Sequence, residues 1–228
     1  FKHYERALAS KPELHEAEHN WGLALARQAN AVAGSDIAKA ISLWEEAFKH
    51  YERALASKPE LHEAEHNWGL ALDDQAKAVA GSDIVKAISL WEEAFKHYER
   101  ALAIKPEAHE VLNNLSAVES HRHHALRRAG REAEATTAAA RALELAERHR
   151  AAAGKGSYNL ACALTLNGRL EEALDLLEAL HRSGELDVAA AHMASDEDLS
   201  SLATHPRFLA LLDAMRTPGP DTGSAVVA

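Results

Sequence analysis

Residues 1–47 read FKHYERALASKPELHEAEHNWGLALARQANAVAGSDIAKAISLWEEA, and residues 48–94 repeat them with four changes: Ala26/Asp73, Arg27/Asp74, Asn30/Lys77 and Ala38/Val85. A third return starts at Phe95 and keeps FKHYERALA, KPE and HE before diverging after Glu110. A fixed step of 47 residues marks an array in which each unit packs on its neighbours. Phe1 falls inside a helical pattern rather than at a start signal. The expectation is therefore that the chain opens part-way through a unit, with earlier copies in a longer precursor.

Each copy reads as two long helices. Ile37, Ile41, Trp44, Phe48, Tyr51 and Leu55 recur at steps of four and three, with Ala40, Ala47 and Ala54 as a row of small residues beside them. Such a stripe is wide enough to bury against two neighbours. Before it, Gly34-Ser35-Asp36 stops one helix and caps the next. The first helix is expected to begin near Pro12 and carries Leu14, Ala17, Trp21, Leu25 and Val32. At ~20 residues each helix spans ~30 Å.

Composition agrees with a helical protein. Among 228 residues, apolar types make up 47% and aromatics 5%, with 11 Gly and 6 Pro. Lys and Arg number 25 against 35 Asp and Glu, a formal charge of −10, which argues against a nucleic-acid binder. One cysteine, Cys162, excludes an internal disulfide framework and a zinc site of several cysteines. No apolar run approaches the ~20 residues of a membrane span. The cellular compartment is left open.

Trp21-Gly22-Leu23-Ala24-Leu25, followed by Ala47, Tyr51, Ala54 and Pro59, resembles the tetratricopeptide signature. The family's ordinary period is 34 residues, so the surplus of thirteen falls between Leu25 and Ala47. It is expected to lengthen both helices at their shared tip, near residues 26–38. Glu18 departs from the family, which usually has an aromatic there; Trp21 is the candidate to fill that volume. Asn159-Leu160-Ala161, Gly168, Ala173 and Leu177 match at ordinary length, and a degenerate unit at 109–150 carries Asn114-Leu115, Gly130, Ala135 and Ala142. The resemblance covers about 1–185. It implies an all-α fold, a right-handed solenoid of antiparallel helix hairpins with C-terminal capping helices. The chain divides accordingly into extended repeats at 1–114, degenerate and ordinary repeats at 115–185, capping helices at 186–216 and a disordered tail at 217–228. Within the cap, Ser195-Asp196-Glu197-Asp198 reads as a helix start and Pro206 as another; DEDLSSLATHPRFLALL resembles the closing segment of many bacterial tetratricopeptide proteins.

Several constellations carry possible chemistry. His15-Glu16-Ala17-Glu18-His19 and its copy at 62–66 have the H-E-x-x-H pattern, which on a helix sets two imidazoles on one face for zinc. No third ligand is recognisable and the third copy replaces the second His, with Asn113 in its place. The pattern therefore reads as a solvated or groove-lining face, with His15, His19, His62 and His66 as adventitious metal binders and a zinc hydrolase as the remote alternative. Fifteen His include the registers His3/His50/His97 and His15/His62/His109, read either as pH-sensitive ladders or as duplicated surface histidines. Cys162 reads as a packing residue, and the four tryptophans as core. The basic stretch 121–155 reads as a solvated face, or else as a dock for an acidic partner.

In the resembled family, first helices line a concave groove for a peptide or partner helix. Matched by motif, the groove candidates are Glu16, His19, Asn20, Leu23, Ala26 and Arg27, then Glu63, His66, Asn67, Leu70, Asp73 and Asp74. Asn20, Asn67, Asn114 and Asn159 recur where family members hold ligand backbone. The family's Lys/Arg clamp for a terminal carboxylate is missing, with His19 and Leu23 at such places, so chaperone C-terminal tails are not expected as ligands. These residues imply a non-enzymatic scaffold, without cofactor, that binds a basic or amphipathic protein segment. The alternative is a structural protein that self-associates end to end through stacked repeats.

Overall fold

The computed structural model describes residues 2–11 and 14–216, so Pro12 and the expected tail at 217–228 lie outside the described residues. Every regular element among the described residues is helical. α1 (Lys2–Ser10) leads into three long pairs: α2 (His15–Val32) with α3 (Ile37–Ser57), α4 (His62–Val79) with α5 (Ile84–Ile104), and α6 (His109–Arg128) with α7 (Glu132–Ala153). A shorter pair follows, α8 (Tyr158–Leu166) with α9 (Leu170–Ser183), then α10 (Ala190–Ser195), a 3-10 turn at Glu197–Leu202 and α11 (Pro206–Arg216). Partners within a pair pack along their length, and the first helices of successive pairs also touch: α2 on α4, α4 on α6, and α6 on α8.

The thirteen-residue surplus is helical. α2 and α3 run 18 and 21 residues, against 9 and 14 in α8 and α9. Only residues 33–36 separate α2 from α3. Asp36 caps α3, its carboxylate accepting from the Lys39 amide at 3.0 Å, and Asp83 repeats this with Lys86 at 2.9 Å. Gly34 does not take a left-handed conformation, so the stop comes from the turn and the aspartate rather than from a glycine C-cap. The first helices begin later than the prolines suggest: α4 starts at His62, because Lys58–Leu61 forms a turn closed by the Leu61 amide on the Lys58 carbonyl at 3.2 Å. Pro59 occupies the second place of that turn, where its fixed φ fits.

Small residues let the paired helices approach. Ala40, Ala47 and Ala54 are fully buried, as are Ala87, Ala94 and Ala101 in the next copy. A Cβ on Gly22 would stand 2.9 Å from the Tyr51 ring and 3.1 Å from the Ala47 carbonyl; one on Gly69 would meet Tyr98 at 2.9 Å. Trp44, Trp91, Tyr51 and Tyr98 fill the space this closeness leaves, all at 1% exposure or less. Trp21 and Trp68 are only half-buried and stack on histidines instead.

Two of the three histidines of the first register are not surface residues. His50 and His97 are buried, and their Nδ1 atoms lie 2.5 Å from Glu18 and 2.6 Å from Glu65. Trp21 stacks on His50 at 4.2 Å and Trp68 on His97 at 4.0 Å. Glu18, which stands where the resembled family has an aromatic, is thus one half of a polar pair inside the hairpin. Only His3 of that register is exposed.

At the C-terminal end the segment 186–216 covers the last pair. Leu199, Leu202, Phe208, Leu211 and Leu212 share one core with Leu160, Leu174 and Leu177. The expected start at Ser195 falls one residue later: the Asp196 carboxylate accepts from the Asp198 amide at 3.0 Å, and the element it caps is a 3-10 turn. Arg207 fastens this segment to α9 through Glu178, Asp175 and Glu171.

Candidate functional site

The side of the molecule formed by α2, α4, α6 and α8 gathers most of the residues singled out from the sequence. Glu16, Asn20, Arg27 and Glu63 are exposed there; Leu23, Leu70 and Asp74 are half-buried. The recurrent asparagines turn toward neighbouring helices. Asn67 Nδ2 meets His19 Nε2 at 2.8 Å, and Asn114 Nδ2 meets His66 Nε2 at 2.7 Å. Asn159 donates to the Asn113 carbonyl at 3.1 Å. These amides tie each first helix to the one before it, so Asn67 and Asn114 are spent on stacking.

The same contacts bear on the H-E-x-x-H segments. His19 and His66 each commit Nε2 to an asparagine. The three-donor group that converges among the described residues lies elsewhere, at Cys162, Asp196 and Asp198. Burial holds the His19 and His66 pKa values below their ordinary range, against the pull of Glu63 and Glu110 respectively. Burial lowers His123 and His149 as well. An unfolded chain takes up protons near pH ~6.5, whereas the fold resists them at these four sites. Their contribution is complete above that pH and declines as pH falls. The melting temperature is therefore expected to drop between about pH 7.5 and about pH 5.5, and His66→Gln to reduce the drop. An unchanged slope in that variant would remove His66 from the account.

Three of the four differences between the copies form a coupled set on this side. In the first hairpin the Trp44 indole donates to Asn30 Oδ1 at 3.0 Å, and Asn30 Nδ2 reaches Asp74 at 2.5 Å. In the second, Lys77 replaces that asparagine and cannot accept, and the Trp91 indole donates instead to Asp73 Oδ1 at 2.9 Å. Asp73 also takes His121 Nδ1 at 3.1 Å and Lys77 at 3.2 Å. Asp73 was expected to face a groove; it is 5% exposed because it has become the indole's acceptor. Burial opposes its ionisation, but His121, Lys77 and the Trp91 N–H outweigh that, and its pKa falls to about 2. Ala26, its counterpart, is buried too.

Beyond Lys77 the side opens into a cleft of about 540 Å3, lined by α4, α6 and α8 and closed by residues 188–198. Lys77, His121, His124, Tyr158, Cys162 and His192 face it. Tyr158 donates its hydroxyl to Asp196 at 2.6 Å, and His124 Nε2 lies 2.5 Å from Asp198. Burial, together with Asp198 and Asp196, pushes the Cys162 thiol well above its ordinary pKa, which disfavours a nucleophilic role. The sequence marked the cleft's C-terminal wall only as a helix start at Ser195-Asp196-Glu197-Asp198 and gave it no site role, since those residues lie in the unrepeated part of the chain. The basic stretch 121–155 is largely paired within the molecule: Arg122 and Arg141 reach Glu119, Arg131 reaches Glu134, Arg128 reaches Glu197 and Lys155 reaches Glu185.

Among the described residues no helix is long and apolar enough to cross a membrane. No protein-family model matches the chain, and no curated protein matches it.

Proposed function

We propose that the chain is a non-enzymatic helical-repeat scaffold of the tetratricopeptide kind, its pairs wound as a right-handed solenoid, and that the side formed by the first helices binds a basic or amphipathic segment of a partner protein. The observation that carries this reading is the cleft beside Lys77, on the side where three of the four differences between the duplicated copies fall. Exposed Glu16, Glu63 and Glu110 rim the starts of α2, α4 and α6 and give that side acidic anchors at matching places. Charge of this kind steers and selects a partner more than it sets raw affinity.

The test is titration of fluorescent Lys/Arg-rich amphipathic peptides, with acidic peptides of equal apolarity as controls. Binding is expected for the basic set, weakened by salt and by Glu16→Lys/Glu63→Lys. Equal binding of both sets, or indifference to the charge reversal, would overturn it.

End-to-end self-association is the second reading: near-identical repeats are self-complementary, so each copy's leading face fits each copy's trailing face. Light scattering after size-exclusion separates the two: a constant monomer mass favours the scaffold, and masses that grow with concentration favour assembly.

A further inference from the structure

The floor of the cleft brings together side chains that neither the repeat nor the scaffold reading uses. Cys162 comes from α8, while Asp196 and Asp198 come from the start of the 3-10 turn; one donor atom from each lies within 4.8 Å of the others. Cys162 is 2% exposed, and its Sγ stands 4.0 Å from Asp196 Oδ2, the outer limit for a thiol hydrogen bond. Two imidazoles border the group. Buried His124 places Nε2 2.5 Å from Asp198 Oδ1, and His192 places Nε2 3.7 Å from Asp196 Oδ2.

The electrostatics of the floor are unbalanced. The Asp196 and Asp198 side chains are 17% and 16% exposed, so both carboxylates are largely withdrawn from water. The cations that line the cleft are engaged elsewhere: Arg128 with Glu197, and Lys77 with Asp73 and Asp74. Among the described residues neither aspartate has a Lys or Arg partner. Their partners are the Tyr158 hydroxyl and the Asp198 amide on Asp196 and the His124 imidazole on Asp198, so two adjacent half-buried carboxylates lie beside the thiol with no Lys or Arg against them, an arrangement that a cation would complement.

We infer that Cys162, Asp196, Asp198 and His192 form a binding site for one zinc ion, which staples the closing segment to the last helix pair. The donor set selects the metal. A thiolate and an imidazole beside carboxylates suit tetrahedral zinc, whereas calcium and magnesium favour all-oxygen shells. On binding, Cys162 forms the metal–sulfur bond and its proton leaves to solvent, so uptake releases a proton. His124 does not ligate; its bond to Asp198 orients that carboxylate, as outer partners of metal ligands do. The site is separate from the H-E-x-x-H segments, whose second histidines are held by asparagines.

The probe is Co2+ added to the metal-stripped full chain, followed by displacement with Zn2+. One equivalent is expected to produce a thiolate-to-cobalt charge-transfer band and d–d bands of tetrahedral intensity, both lost when zinc is added. Cys162→Ser should remove the charge-transfer band, and the more conservative Asp198→Asn should weaken binding, with circular dichroism confirming that each remains helical. His124→Ala should weaken binding by about 10- to 100-fold without removing the band. Zinc should raise the melting temperature of the parent chain and not of Cys162→Ser. A His15→Ala/His19→Ala/His62→Ala/His66→Ala variant should keep the band. Binding without a thiolate band, loss of binding in that four-histidine variant, or no binding by the folded chain would each overturn the assignment.

Discussion

Replacing His97 by Leu is expected to destabilise the protein by about 3–5 kcal/mol, and replacing Glu65 by Leu in the same molecule is expected to restore nearly all of it. The single change leaves the Glu65 carboxylate buried without the imidazole now 2.6 Å away, and a buried charge stripped of its partner is costly. It also removes the ring that Trp68 stacks on at 4.0 Å. Glu65→Leu alone should cost less, about 1–3 kcal/mol, because the imidazole left behind keeps its stack on Trp68 and loses only one hydrogen-bond partner. The double variant should be within about 1 kcal/mol of the parent, since paired replacement by apolar groups of similar volume is commonly neutral or stabilising. The third pair of helices already contains that solution. Leu112 occupies the place of Glu18 and Glu65 in the repeat, and Leu145 stands at the same step from the start of α7 as His50 and His97 do from the starts of α3 and α5. Leu112 and Leu145 lie in one core cluster. Urea unfolding of the two single variants and the double decides it; additive losses in the double would sink the idea that the pair is exchangeable as a unit.

These residues also show what the sequence could and could not convey. The 47-residue period, the alternating apolar steps and the alanine row all lead to long paired helices, because each is a local pattern with a helical reading. The breaks at Gly34-Ser35-Asp36 and its copy were legible for the same reason, though the sequence left the cap as Ser or Asp and the structure gives it to Asp36 and Asp83. The partners of the polar residues were not legible, because they lie 32 residues away for Glu18 and His50 and 48 for His19 and Asn67, across a geometry that no spacing rule encodes. One signal was present: Glu18 and His50 recur together at Glu65 and His97, and both give way to leucine in the third pair. Joint appearance and joint loss of two polar residues within an apolar stripe points to a contact. The asparagines misled in the opposite sense, since their regular recurrence suits a stacking bond between copies as well as it suits a ligand. Cys162 read as a packing residue and the aspartates at 196 and 198 as part of a helix start, and nothing joined them, because they meet only when the unrepeated closing segment folds onto α8.

The coupled differences between the copies make the second large prediction. Asp73→Ala should cost about 3 kcal/mol, because it strips the Trp91 indole, at 1% exposure, of its acceptor and leaves His121 and Lys77 without the carboxylate between them. Lys77→Asn in the parent should be a smaller loss, since Lys77 is partly solvated and the indole keeps Asp73. The two changes together restore the first hairpin's residues at these two positions, where an alanine stands at the aspartate's place and an asparagine at the lysine's. There the asparagine oxygen takes the indole at 3.0 Å and its amide reaches Asp74 in the next first helix, whose counterpart one repeat on is His121. The introduced asparagine thus has both contacts available, and the double variant should recover about 2 kcal/mol relative to the sum of the singles. A double-mutant cycle by chemical denaturation measures that coupling. Strict additivity would mean that the substitutions arose independently and that Asp73 serves the Lys77–His121 cluster alone. A strong positive coupling would mean that the duplicate exchanged one indole acceptor for another, and in doing so placed a lysine at the mouth of the cleft where the first copy has an asparagine.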